Sequence, residues 1–146
     1  MEKQLHAKVL LVDDEEEFLK TLAQRLEMRG LKVTGATRGE EAVDLADKQN
    51  FDAIVIDLAM PGMDGLETLK KIKEGHPDAE IIMLSGQGSV KTSIEAMKLG
   101  AEDFLEKPVD MKELLAKIDE MKNKRILILE KQSMEEIEKI MKSKSW

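Results

Sequence analysis

The 146-residue chain contains no cysteine. That absence excludes disulfides, thiolate zinc sites and a cysteine nucleophile, and it fits a reducing compartment. No apolar stretch approaches the ~20 residues of a membrane span, and the first ten residues lack a signal-peptide layout. The expectation is a soluble, cytoplasmic protein with no membrane contact. Basic charge is also scarce: the net charge is −7, with 17 basic and 26 acidic groups in residues 1–122 against 6 and 4 in residues 123–146. An acidic body without a basic face argues against direct nucleic-acid binding, which depends on neutralising phosphates. Only two histidines occur, His6 and His76. No metal-ligand spacing links them, and they read as exposed residues.

What the chain does have is apolar runs that end in polar residues. Val9 to Val12 enters Asp13 and Asp14, Ala53 to Ile56 enters Asp57, Ile81 to Leu84 enters Ser85, and the shorter Phe104-Leu105 precedes Lys107 and Pro108. Runs apolar on both faces suit strands covered by helices on either side. Leu31 to Ala36 is a fifth strand candidate.

Helical patterns lie between these runs. Phe18, Leu22 and Leu26 recur every four residues before Gly30, a candidate left-handed cap. Thr37 and Glu40 form a capping-box pair ahead of Ala42, Val43, Leu45 and Ala46. Leu66, Leu69 and Ile72 mark a third helix closed by Gly75 and Pro77. Ser89 opens a fourth with Ile94 and Met97, and Asp110 with Glu113 caps a fifth that contains Leu114, Leu115 and Ile118.

Five strand-then-helix repeats with short connections call for a parallel sheet with right-handed crossovers and helices on both faces. The fold expected is α/β, a flavodoxin-like doubly wound five-stranded parallel sheet of order 2-1-3-4-5 with a C-terminal helical extension. The carboxyl ends of the strands would gather Asp13, Asp14, Asp57, Ser85 and Lys107 along one edge. Three clustered carboxylates repel unless a divalent cation sits among them, and an all-oxygen cluster suits Mg2+ or Mn2+. The lysine and the hydroxyl read as donors for a phosphoryl group. Taken alone, Asp13 and Asp14 would be a helix cap and its neighbour; the register with Asp57 gives them another meaning.

These residues resemble the receiver domains of two-component response regulators. The resemblance is carried by Leu10-Leu11-Val12-Asp13-Asp14-Glu15, by Asp57-Leu58-Ala59-Met60-Pro61-Gly62-Met63-Asp64-Gly65, by Leu84-Ser85-Gly86 and by Phe104-Leu105-Glu106-Lys107-Pro108. It implies that Asp57 is phosphorylated, that Ser85 and Lys107 bind phosphoryl oxygens, and that Asp13, Asp14, Asp57 and the carbonyl of Ala59 hold the metal. It also implies a cis peptide before Pro108 and a switch in which Ser85 moves the loop from Gly86 to Ser89 while Phe104, a tyrosine in many relatives, turns inward. The implied partners are a sensor histidine kinase or phosphotransfer protein and a downstream protein target met through the fourth helix, fifth strand and fifth helix. The output effect is unknown.

Ala59 offers no polar group to orient water and Gln87 only a weak one, so slow self-dephosphorylation is expected rather than enzymatic turnover. Two alternatives remain at this point. A hydrolase of the haloacid dehalogenase type shares the Asp, Ser and Lys but places a second acid where Ala59 stands. A pseudo-receiver would dock without phosphorylation.

Residues 6–122 are expected to form the receiver domain, and 123–146 an amphipathic extension with no recognisable output domain. Ile126 to Leu129 could extend the fifth helix or form a strand, and Ser133 with Glu136 suggests a new helix start before Ile137, Ile140 and Met141. The extension is expected to fold back onto the domain. The competing reading is a homodimer or partner contact through Ile126, Leu127, Ile137 and Met141.

Overall fold

The computed structural model describes residues 6–60, 62–86 and 90–143. Along the chain, β1 (Lys8–Val12), α1 (Glu16–Glu27), β2 (Lys32–Ala36), α2 (Gly39–Lys48), β3 (Ala53–Asp57), α3 (Gly65–Gly75), β4 (Ile81–Ser85), α4 (Val90–Lys98), β5 (Asp103–Glu106) and α5 (Met111–Ser143) alternate without exception. The strands form one sheet in the order β2-β1-β3-β4-β5, every pair parallel.

Period-two geometry divides each strand between two cores. Leu10 and Val12 with Ile54, Ile56, Ile81 and Met83 pack beneath α2, α3 and α4, where Ala42, Leu69, Ile72 and Ala96 meet them. Val9, Leu11, Val55, Ile82 and Leu84 face the other way, against Leu22 and Leu26 of α1 and Leu114, Ile118 and Met121 of α5. Each of these leucines and isoleucines, removed from water, stabilises the fold by roughly 1.5–3 kcal/mol. A sheet covered on both faces is why its strands read as continuous apolar runs.

Several local expectations are corrected. The capping box at Thr37 and Glu40 does not form: α2 begins at Gly39 after Arg38, with no side-chain cap. Tertiary packing sets this entry, because a Cβ on Gly39 would lie 2.3 Å from Thr68 Oγ1. By contrast, Asp110 caps α5 as its sequence suggests, accepting from the backbone of Lys112 at 2.9 Å and Glu113 at 3.4 Å. Gly30 takes the left-handed conformation, with φ 91°. The opening of α4 at Ser89 lies outside the described residues.

The largest departure is at the C-terminus. α5 runs unbroken for 33 residues, about 50 Å at 1.5 Å per residue, so Ser133 and Glu136 sit inside a helix instead of starting one. Nor does the extension fold back. Arg125, half-buried Ile128 and Gln132 lean on the turn between α3 and β4, where the Gln132 amide donates to Asp78 at 3.3 Å. The opposite stripe of Ile126, Leu127, Met134, Ile137 and Met141 stays exposed. A helix that continues the apolar seam of α5 past the body has no reason to bend, since among its residues there is neither Pro nor Gly.

Candidate functional site

The carboxyl ends of β1 and β3 are neighbours, so Asp13 and Asp57 are brought together by sheet register alone: Val12 lies opposite Ile56, one residue short of each. Both are buried, whereas Asp14 is exposed. Oxygens of Asp13, Asp14 and Asp57 all lie within 4.8 Å of one another. Ser85 ends β4 one residue after Leu84, the register partner of Asp57, and is buried. Its carbonyl accepts from the backbone of Lys107 at 2.8 Å, tying the end of β4 to the loop after β5. The Lys107-Pro108 peptide is cis.

Lys107 closes the edge. Its Nζ donates to Asp13 Oδ2 at 2.9 Å and stands 3.6 Å from Asp57 Oδ1. Asp13 is engaged on both sides, since its other oxygen accepts from the backbone of Glu15 at 2.9 Å. Burial, and then the Asp13 and Asp57 carboxylates that outweigh it, leave the Lys107 ammonium held above its ordinary range. Asp57 moves the other way for a carboxylate: burial first and the charge of Asp13 second push it up to about 6, although Lys107 and the backbone N–H of Ala59 pull it down. One ammonium does not neutralise three acids. A hard divalent cation with oxygen ligands fits this donor set and its excess negative charge.

Around this edge the loops are packed tightly. A Cβ on Gly65 would fall 2.4 Å from the carbonyl oxygen of Asp57, and Gly62 adopts φ 75°. Asp64 caps α3, accepting from Glu67 at 2.8 Å, and Thr68 donates back to the Asp64 carbonyl at 2.8 Å. Asp64 and Gly65 thus shape the loop after Asp57, as their sequence suggests. Ala59 is exposed beside the site, and Phe104 is half-buried on β5, opposite Met83. Met60 belongs to the core and Met63 is half-buried. His6 is exposed, but His76 is half-buried and pairs with Asp47 at 2.8 Å. Pro61, Gln87 and Ser89 lie outside the described residues.

Sequence reading assigns Phe18 only to an apolar helix face. In the fold its ring lies 4.2 Å from Lys107 Nζ, making it the neighbour of the site that no spacing rule could have found.

Comparison with known proteins gives this edge its context. Residues 9–119 match the family model described as the response regulator receiver domain. The transcriptional regulatory protein CpxR of Escherichia coli (strain K12) is 40% identical over 111 residues, covering 76% of this chain and 47% of that protein; the chain spans about half the length of such curated relatives. Among solved structures, a response regulator receiver domain protein from Clostridium thermocellum superposes with a TM-score of 0.80 at 32% identity, covering 84% of this chain and 98% of that one. The beryllofluoride-activated NtrC4 receiver domain dimer matches with a TM-score of 0.75 at 38% identity, over 80% and 97%. No helix among the described residues is long and apolar enough to cross a membrane. The chain belongs to the receiver domains of two-component response regulators, phosphoacceptor modules that act as phosphorylation-dependent switches.

Proposed function

We propose that Asp57 is the carboxylate that takes the phosphoryl group. The observation that carries this reading is the pairing of a buried Asp57 with an ammonium 3.6 Å away at the edge where Asp13 and Asp14 also lie. Asp57 attacks phosphorus as the P–N bond of a phosphohistidine breaks, leaving an acyl phosphate on the protein and a free imidazole on the donor. Lys107 and the Ser85 hydroxyl receive the phosphoryl oxygens, so charge that builds during transfer meets a fixed donor on each side.

Asp13, Asp14, Asp57 and the Ala59 carbonyl would hold Mg2+, with Mn2+ as a substitute. Bound there, the cation shares the charge of the acceptor carboxylate and of the incoming phosphoryl oxygens. Ser85 and Phe104 form the switch: attraction of the hydroxyl toward the modified Asp57 shifts the end of β4, and the half-buried Phe104 ring turns further into the space under α4. The surface that changes is α4, β5 and α5, where Val90, Ile94 and Met97 are exposed and available to a downstream protein. Phosphoryl donors are a sensor histidine kinase or phosphotransfer protein, in the cytoplasm. The exposed apolar stripe of α5 supports a homodimer, the assembly named for the NtrC4 receiver. Residues 6–122 form the switch and 123–143 its helical arm. No nucleic-acid surface is assigned to the acidic body; the transcriptional role named for CpxR belongs to that longer protein.

With Ala59 in place of a polar side chain, nothing at that position orients water, so decay of the acyl phosphate is slow and hydrolytic turnover is disfavoured. The deciding experiment is incubation with Mg2+ and acetyl phosphate followed by intact-mass measurement. One added phosphoryl group, absent in Asp57→Asn, supports the switch. Rapid multiple turnover would support a hydrolase, and no adduct would support a docking-only module.

A further inference from the structure

The sheet has a second edge of chemical interest, opposite the first. Between the end of α2, the end of α3 and the start of β3 lies an open cleft of about 260 Å³. Its floor is apolar, made by Phe51, Ile54 and Ile72. Its roof is Arg125 of α5, which lies beyond residue 119 where the family match ends. Arg125 is half-buried, and among the described residues it forms no ion pair or side-chain hydrogen bond. A guanidinium keeps its charge at every physiological pH, so a half-buried one without a partner is a standing donor fork.

We propose that this cleft binds a small molecule with one carboxylate and a compact apolar body, the carboxylate on Arg125 and the body on Phe51. Three features select that chemistry. The planar fork of an arginine matches a carboxylate with two parallel hydrogen bonds. The floor rewards apolar surface and offers an aromatic ring to stack on. Asp78 also lines the cleft and Asp47 stands just behind it, paired with His76, so a doubly charged phosphate meets two carboxylates where a monocarboxylate meets a nearly balanced field. Because the roof belongs to α5 and the floor to the body, an occupant bridges the helical arm to the domain. This site is independent of the phosphoacceptor reading.

Benzoate is a suitable probe, with benzamide and inorganic phosphate beside it. In amide-resolved NMR titrations of the full chain, benzoate should give saturable shifts clustered at Asn50 to Phe51, His76 to Ala79 and Arg125. Arg125→Met, which removes no existing contact, should weaken benzoate by about tenfold or more, and benzamide should bind about tenfold more weakly than benzoate. Shifts that are scattered or never saturate, an affinity unchanged in Arg125→Met, or phosphate binding as tightly as benzoate would each overturn the proposal.

Discussion

The ammonium of Lys107 is held between the Asp13 carboxylate at 2.9 Å and the ring of Phe18 at 4.2 Å. Phe18 comes from the first turn of α1 and Lys107 from the loop after β5, so the contact pins two distant segments around the one cation of the phosphoacceptor edge. The ring face attracts the ammonium without competing for the hydrogen bonds it gives to oxygen.

Phe18→Leu tests what that ring contributes. It keeps the apolar volume against the α1 and α5 core while deleting the quadrupole. Phosphorylation by acetyl phosphate should slow by about two- to tenfold, with little change in melting temperature. Equal rates in the two proteins would show that Asp13 alone positions Lys107.

Asp57 carries a pH-dependent cost. Its carboxyl is pushed from 3.8 up to about 6 by burial and by Asp13. The folded state therefore binds this proton more tightly than the unfolded chain, a contribution fully present below 3.8 and lost as pH rises through about 6. In chelator at pH 7.5, Asp57→Asn should stabilise the fold by roughly 1–3 kcal/mol. The gain should fade in acid and shrink when Mg2+ is added; denaturant titrations at two pH values check it.

Ala59→Asn places an amide beside Asp57. Decay of the acyl phosphate should accelerate by about tenfold or more as the side chain orients water. The half-life of the phosphorylated form, followed by intact mass, is the measurement, and an unchanged half-life would remove Ala59 from the account of its persistence.

A second buried acid lies near the root of the helical arm. Glu80 is buried, one of its carboxylate oxygens has no hydrogen-bond partner, and Lys124 of α5 stands 3.8 Å from that oxygen. Burial first, then Glu102, push Glu80 up to about 7. Lys124 sits closer to Glu102, at 2.9 Å, and Glu102 is held below its ordinary range even though burial, its largest influence, opposes this. Glu80 thus favours the fold below 4.5 and loses that contribution as pH climbs through about 7. Glu80→Gln should raise the melting temperature at pH 8 and leave it nearly unchanged at pH 4.5. A rise of equal size at both values would point to packing instead of charge.

Much of the fold was legible before any coordinates. Strands appear as apolar runs because helices cover the sheet on both sides, and the residue ending each run is necessarily at one edge of a parallel sheet. Asp13, Asp57, Ser85 and Lys107 could be grouped on that ground alone. Caps were less legible. Asp110 caps because its own helix needs it, whereas Thr37 does not, since the contact of Gly39 with Thr68 decides where α2 begins.

The sequence by itself determined the order of elements, the two faces of each strand and the identity of the side chains delivered to the sheet edge, all of which follow from local periodicity and parallel connection. Tertiary structure alone decided that Phe18 faces Lys107, that α5 continues straight past the body, and that Arg125 comes to roof a cleft floored by Phe51. Those relationships depend on how close-packed elements settle against one another, and periodicity along a chain carries no record of the distance between segments that meet only after folding.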